Sequence, residues 1–475
     1  MTAIVTRPER AWERLRRGPS SSVRRPGQVR YSGSVVSEQH PASVPLAHHP
    51  DFLKLWSAET VSQFGSQISQ LAIPFVALGV LNASTFEIAL LNVVEMLPFL
   101  LIGLVAGVWV DRLRRRPVLI AGDLGRAALL ATIPIAYLLN VLTIVQLYVV
   151  GAAVGALTVF FDVAYQSYLP SLVERDQLQE GNAKLEISRA SAQVAGPGLA
   201  GVLIGIVRAP FAVVLDALSF LGSGLFVLWI RRPEPPPGRH RSDGEPGPDF
   251  RAEMAEGLRW VIDNAHLRSI AACTGSSNLF SSIIFSVMLV FAVRVMGMTA
   301  EEIGLAFSVG SLGALLGALT ANRVSERLGV GPTIVLFSAI GGPPAIIFAL
   351  APVGTAQPIL VGLVALMGFL GGLASVVYNV AQVSFRQAIT PARLQGRMNA
   401  TMRWIVWGTM PVGGVIGGLM GTFIGVRETI LLGGIGGSLV FLPVLFSPVR
   451  GIRTMPEPQQ EAGGDDPDAV IEPPR

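Results

Sequence analysis

Gly107-Val108-Trp109-Val110-Asp111-Arg112-Leu113-Arg114-Arg115-Arg116 is a short basic link between two long apolar runs. One run ends at Val110 and the next begins at Pro117. An acid and four arginines within six residues do not enter hydrocarbon, where such a charge costs about 2.5–3.5 kcal/mol on insertion scales. The link therefore lies in water or among headgroups, and the flanking runs read as membrane spans.

The rest of the chain fits that reading. It has 475 residues, 51% hydrophobic and 14% charged, against about 25% charged in soluble domains. Mean hydropathy is +0.54. A span needs roughly 20 apolar residues, and twelve fit between Phe52 and Phe446: 53–80, 87–110, 117–139, 143–169, 184–206, 210–231, 267–294, 302–322, 331–351, 357–386, 398–425 and 428–447. The fold expected is an all-α integral membrane protein, with twelve transmembrane helices in two pseudo-symmetric six-helix bundles. The net charge of +4 is no argument for nucleic acid, because the arginines cluster in links between apolar runs. A single cysteine, Cys273, excludes an intramolecular disulfide and a Cys-rich metal site.

An even number of spans puts both termini on one side. The link before the eleventh span carries Arg386, Arg393, Arg397 and Arg403 without an acid, whereas the links at 81–86, 140–142 and 352–356 carry no Lys or Arg. Arg208, Arg294 and Arg427 are the other side's cations. This asymmetry predicts cytoplasmic termini in a multi-pass plasma-membrane protein. Residues 1–50 hold no apolar leader core and read as a disordered basic cytoplasmic tail or an overlong gene start. The expected division continues with an N-terminal bundle over 51–231 and a cytoplasmic linker over 232–266. A C-terminal bundle over 267–447 and a disordered acidic cytoplasmic tail over 448–475 complete it. Within the linker, Met254, Leu258, Val261 and Ile262 share a helical face, which suits a membrane-surface helix.

The halves repeat. At a shift of 217, Gly151, Gly155, Asp162, Ser167, Asn182, Gly196 and Gly201 meet Gly368, Gly372, Asn379, Ser384, Asn399, Gly413 and Gly418. At 215, Glu87-Ile88 meets Glu302-Ile303, and at 211 Asp111-Arg112 meets Asn322-Arg323. Internal repeats of this kind mark secondary transporters, with substrate held between them.

Gly107, Asp111-Arg112 and Arg115 at this spacing resemble the loop between helices 2 and 3 of the major facilitator superfamily, with Arg114 where the general pattern has Gly. The resemblance implies that Gly107, Asp111, Arg112 and Arg115 form a gating latch, with Arg112 and Arg115 pairing acids such as Glu174 or Asp176. Gly196-Pro197-Gly198-Leu199-Ala200-Gly201 resembles the superfamily's Gly-Pro-x-x-Gly-Gly exporter motif, with Ala200 for one Gly. Phe161-Asp162, Leu169-Pro170-Ser171-Leu172-Val173 and Asp123-Leu124-Gly125-Arg126-Ala127 resemble the branch of macrolide-efflux and enterobactin-export proteins. The fourth span lacks the arginine of the drug-antiporter motif. A monomer is what the superfamily implies.

Polar residues within spans are functional suspects. Glu59, Gln63, Ser66, Gln67 and Gln70 form one stripe on the first span, as a cavity wall would. Asn92 and Glu95 share a face of the second, Asp216 lies in the sixth and Asn278 in the seventh, and Gln193, Asn379 and Gln382 add hydrogen-bonding groups. Glu59, Gln63, Gln67, Asn92, Glu95, Asp216, Asn278, Asn379 and Gln382 are the expected substrate or proton pathway. Glu95 leads for the proton, with Asp216 and Glu59 behind it, since a carboxyl out of water favours its neutral form. Asp123 and Arg126 read as structural, Arg189 and Arg403 as anchors or latches. Tyr165, Tyr168, Trp404 and Trp407 suit either a cavity wall or packing. No phosphate loop, metal-ligand cluster or catalytic triad is present, so no cofactor and no enzymatic activity are expected. The reading is efflux of a small amphipathic molecule (a drug, an antibiotic or a siderophore-like compound) by alternating access. The energy comes from proton antiport, and the partners are the substrate, protons and lipid. Uptake or facilitation by the same fold, or a non-transporting sensor, are the alternatives.

Overall fold

The computed structural model describes residues 46–110, 112–234 and 250–456. Asp111, nearly all of the N-terminal tail, residues 235–249 of the linker and the tail from 457 onward lie outside the described residues. Among the described residues every regular element is helical. The first half holds α1 (Pro50–Gly79), α2 (Thr85–Leu101), α3 (Gly103–Val110), α4 (Arg115–Leu138), α5 (Ile144–Leu172), α6 (Leu178–Val207) and α7 (Ala209–Leu228). Between the halves lies α8 (Phe250–Asp263). The second half opens with α9 (Ala265–Val290), which runs on through a π-helical turn at Phe291–Val295. It continues with α10 (Ala300–Leu328), α11 (Val330–Ala339), α12 (Pro343–Leu350), α13 (Gln357–Ile389), α14 (Ala392–Phe423), α15 (Val426–Leu439) and α16 (Leu442–Leu445).

Three crossings are broken where the sequence suggested continuous spans: α2–α3, α11–α12 and α15–α16. Pro98 lies in the last turn of α2 and Gly103 opens α3. Ile340-Gly341-Gly342 separates α11 from α12, which opens on Pro343-Pro344, and Pro443 follows the start of α16. Proline removes a backbone donor and crowds the preceding turn. Each broken pair counts as one crossing, which makes twelve. Ten of them are long and apolar enough to cross a membrane by length and composition. The other two are α1, with its polar stripe, and the interrupted α2–α3.

Two faces follow from an even number of crossings. The terminal face carries Pro50, α8 and the segment after α16. The distal face carries the turns at 80–84, 139–143, 208, 296–299, 351–356 and 424–425. The distal turns repeat the pseudo-symmetry in backbone detail. Ser84 and Glu87 form a reciprocal capping box at the start of α2, and Thr299 and Glu302, 215 residues on, form the same box on α10. Each satisfies helix N-terminal donors that have no partner inside the helix. Left-handed backbone recurs at Asn82 (φ 49°) and Gly297 (φ 69°), and at Arg208 (φ 69°) and Gly425 (φ 107°).

The buried apolar side chains show how the bundles diverge. Toward the distal face one continuous cluster takes in both bundles, from Leu71, Ile88 and Phe220 to Ile284, Phe291 and Phe348. Toward the terminal face there are two separate clusters. One surrounds Phe52, Leu169 and Val227 of the first bundle, the other Leu267, Phe385 and Met402 of the second. The bundles therefore share a core at one end and part at the other. α8 docks on α14 with Gly257 against Arg397 and Thr401, and Glu256 pairs with Arg393 at 3.7 Å and with Arg397. Of its expected apolar face, Val261 is buried, while Leu258 and Ile262 stay exposed.

Candidate functional site: a one-sided cavity and a buried charge cluster

Two seams of small residues join the bundles near the distal face. α6 meets α10 so closely that a Cβ on Gly201 would run into the Ala300 carbonyl, and one on Gly304 into the Pro197 carbonyl. Beside them the Gly198 N–H donates to Ser308 Oγ at 2.8 Å. α14 meets α2 likewise, with Gly414 against Val93 and Gly418 against Ala89 and Phe86. Small residues are what permit helix backbones to approach this closely. Gly201 and Gly418 are counterparts in the repeat, so the seams are symmetry mates. Arg294 closes the same end by donating to the Ala83 carbonyl at 2.7 Å across the bundles. Of the expected exporter-motif residues, Gly201 and Pro197 thus lie in a seam, while Gly196 packs on Gln67 of α1.

Between the bundles lies a cavity of about 1160 Å³. Gln70, Leu71, Pro74, Ile88 and Asn92 reach it from the first bundle, and α9, α10, α13 and α14 supply most of the remainder. Four expected pathway residues are brought together here: Asn92, Asn278, Asn379 and Gln382. Asn278 Nδ2 donates to the Val406 carbonyl at 3.0 Å, which ties α9 to α14, and Gln382 Nε2 donates to Asn379 Oδ1 at 2.8 Å. Gln387 and Arg403 border the cavity and are exposed, so it opens toward the terminal face.

The remaining pathway candidates sit elsewhere. Glu59, Gln63, Gln67, Glu95 and Asp216 are not among the cavity-lining residues. Glu95 packs against Gly151 of α5, within the first bundle. The α1 stripe reaches the cavity only at Gln70, because its earlier members turn inward toward α6 and the bundle core. There the structure assembles a charge cluster. Asp123 Oδ1 and Arg126 Nη2 pair at 2.6 Å, and the Ser223 hydroxyl donates to Asp123 Oδ2 at 2.7 Å. The Arg126 guanidinium lies between the rings of Phe161 and Phe220, 4.2 and 4.1 Å from their centroids, where ring quadrupoles attract a cation. Asp216 is 1% exposed and accepts from Ser219 at 3.1 Å. Glu59 Oε1 accepts from Gln63 at 2.6 Å, and its Oε2 is buried without a partner. Tyr165 stacks on Phe161 at 6.0 Å. Asp123 and Arg126, expected near a helix end as a structural pair, are the hub of this cluster.

At the terminal face Arg115 pairs with Glu234 at 3.7 Å, beyond the end of α7. The same carboxylate accepts from the backbone N–H groups of Arg115 and Arg116 at 2.6 and 3.2 Å, and so caps α4. Its charge faces the positive end of the helix dipole. Arg112 is exposed, and among the described residues a Cβ on Gly107 would meet nothing within 4 Å.

A twelve-span fold of two repeats, joined by glycine seams around a cavity open at one face, is that of a membrane transporter. A family model described as MFS_3, transmembrane secretion effector, matches residues 41–463. The chain belongs to this major facilitator superfamily family. It is a transporter, not an enzyme. Multidrug efflux pump Tap of Mycolicibacterium fortuitum is 28% identical over 423 residues, covering 83% of this chain and 96% of that protein. Enterobactin exporter EntS of Salmonella typhimurium is 27% identical over 411 residues, covering 86% and 90%. Among solved structures, a bacterial homologue of the iron transporter ferroportin in an inward-facing state matches with TM-score 0.64 and 16% identity, over 83% of this chain and 98% of that one. Nucleoside transporter NupG matches with TM-score 0.67 and 12% identity, over 83% and 99%. These two share the fold.

Arg386 and Arg403, both read from the sequence as cations of the link before the eleventh span, line the cavity. The available clue was spacing: Asn379, Gln382 and Arg386 fall at i, i+3 and i+7, one helical face. Of the four aromatic residues, Trp407 lines the cavity; Tyr168 is buried in the first bundle and Trp404 is exposed outside the lining.

Proposed function

We propose that this transporter exports a small amphipathic molecule across the plasma membrane by alternating access, in exchange for protons. The observation that carries the reading is the one-sided cavity, closed by two glycine seams at the distal face and open at the terminal face. The links at the terminal face are rich in arginine, and the positive-inside rule assigns such a face to the cytoplasm. The cavity then loads from inside. Similarity to two proteins named as an efflux pump and an exporter supports outward movement.

Coupling falls to the first bundle. Glu59 takes precedence over Glu95 because its Oε2 is buried without a partner, and because the charges of Asp162, Arg126 and Asp123 act on it while Arg126 also acts on Asp216. A proton taken from outside neutralises Glu59 and reduces repulsion among these acids. Its release to the cytoplasm restores the charge and resets the cycle.

The test uses inside-out vesicles acidified within, and a fluorescent amphipath. Export appears as accumulation that a protonophore abolishes. Glu59→Gln is expected to lose proton-driven accumulation at least tenfold while still binding the amphipath, and Glu95→Gln to keep it. Wild-type activity in Glu59→Gln would overturn the coupling assignment. Wild-type vesicles that moved the amphipath only in the opposite direction would overturn export.

A further inference from the structure

We propose that the cavity takes an anionic amphipath, whose acidic head is held by Arg386 and Gln382 of α13. The assignment relies on the transport reading above only in treating this cavity as the substrate site. Among the cavity-lining residues the charged side chains are Arg386 and Arg403; none is Asp, Glu, Lys or His. Neither arginine forms an ion pair among the described residues. Arg403 lies 5.6 Å from the Trp407 ring centroid at the mouth. Arg386 is 9% exposed and its Nε is buried without a hydrogen-bond partner. One turn deeper, Gln382 is 2% exposed, and its Oε1 is likewise buried and unpartnered.

A buried guanidinium without a counter-ion is destabilising, and an unmade hydrogen bond at a buried polar group adds to that. An incoming carboxylate or sulfonate supplies the missing charge, and guanidinium geometry suits its two oxygens. An organic cation finds no acidic side chain in the lining to pair with. The exposed acid Asp162, of α5 in the first bundle, lies outside the lining. The site is also built for an apolar body. Arg386, Gln382, Asn379 and Ser375 form a polar ladder on α13, about 16 Å long at 1.5 Å per residue. Phe307, Phe337, Met288 and Met410 cover the other walls. Thioethers adapt to irregular shapes, and the volume of about 1160 Å³ leaves room beside the head.

The experiment uses full-length protein in phosphatidylcholine vesicles and three probes built on one dansyl group and one alkyl chain, ending in carboxylate, amide or trimethylammonium. Wild type is expected to bind the carboxylate at least tenfold tighter than the trimethylammonium probe. Arg386→Gln should weaken carboxylate binding about tenfold and leave the amide unchanged, which also reports that the variant is folded. Gln382→Glu places an acid at i−4 from Arg386, where the two can pair. It should weaken the carboxylate similarly and tighten the trimethylammonium probe. Phosphatidylglycerol that competes with the carboxylate in wild type alone would identify a lipid as an occupant of the same anion site; lack of competition would identify a soluble anion. Equal affinity for the carboxylate and trimethylammonium probes, or an unchanged carboxylate affinity in Arg386→Gln, overturns the assignment. Arg386-dependent binding without outward flux would leave it standing and sink export. Export of the trimethylammonium probe unaffected by Arg386→Gln would do the reverse.

Discussion

In the first bundle an arginine, Arg126, is wedged between two phenylalanine rings and held by Asp123. In the second, Arg386 borders the cavity with no acid paired to it among the described residues. Asp162 and Asn379 occupy equivalent places in the repeat, yet one is an acid and the other an amide that faces the cavity. The backbone plan was duplicated; the electrostatics were not. Charge confined to the core of one bundle can respond to protons without touching cargo. A cavity wall drawn mainly from the other can hold cargo without titrating.

The sharpest way to break this contrast is to remove each arginine in turn. Arg126→Gln strands Asp123 in the core, and breaking a buried pair costs about 3–5 kcal/mol. Arg386→Gln removes a buried charge that has no ion-pair partner among the described residues, and should leave stability unchanged or raise it. Thermal unfolding in detergent compares the two. Equal losses would mean that Arg386 is as deeply tied into its bundle as Arg126.

The seams test the duplicated part of the comparison. Gly201→Val and Gly418→Val each force a branched side chain into a contact between backbones or side chains of opposite bundles, and overpacking costs about 1–3 kcal/mol. That penalty falls on the state closed at the distal face. Each variant should raise labelling of a cysteine placed at Asn92, in a Cys273→Ala background, by a membrane-impermeant maleimide added at the distal side. Transport should fall with it. A change in one variant alone would show that only one seam governs closure.

Much of the duplicated part was legible in the sequence. The register of Glu87 with Glu302 and of Gly201 with Gly418 gave the repeat, and arginine-rich links separated the spans. These are local or periodic features, and each carries its own physical cause. What could not be read was which neighbour a face meets. Asn92 and Glu95 lie three residues apart on α2, yet Asn92 reaches the cavity and Glu95 packs on α5. A helical period places them on one side of a cylinder, but 60° of offset decides between cavity and bundle core. Arg386 was hidden for another reason. It lies one turn from the end of α13, where position alone does not separate a link cation from a cavity cation.

The smallest expected effect lies in a turn where the duplication is imperfect. Arg208 joins α6 to α7 at φ 69° and ψ 153°, and its counterpart Gly425 joins α14 to α15 at φ 107° and ψ 151°. That region is open to glycine and strained for other residues by about 1–3 kcal/mol. Arg208 is exposed, so its side chain contributes little packing to offset the strain. Glycine loses more chain entropy on folding, roughly 0.5–1 kcal/mol, and part of the gain is returned. Arg208→Gly should therefore stabilise the protein by about 1 kcal/mol, read as a raised melting temperature in detergent. Gly425→Ala should destabilise it by at least a similar amount, because the added Cβ also runs into the Glu428 carboxylate. A neutral or destabilising Arg208→Gly would show that the arginine makes a compensating interaction with lipid headgroups at the distal face. The first bundle would then differ from the second at its surface as well as in its core.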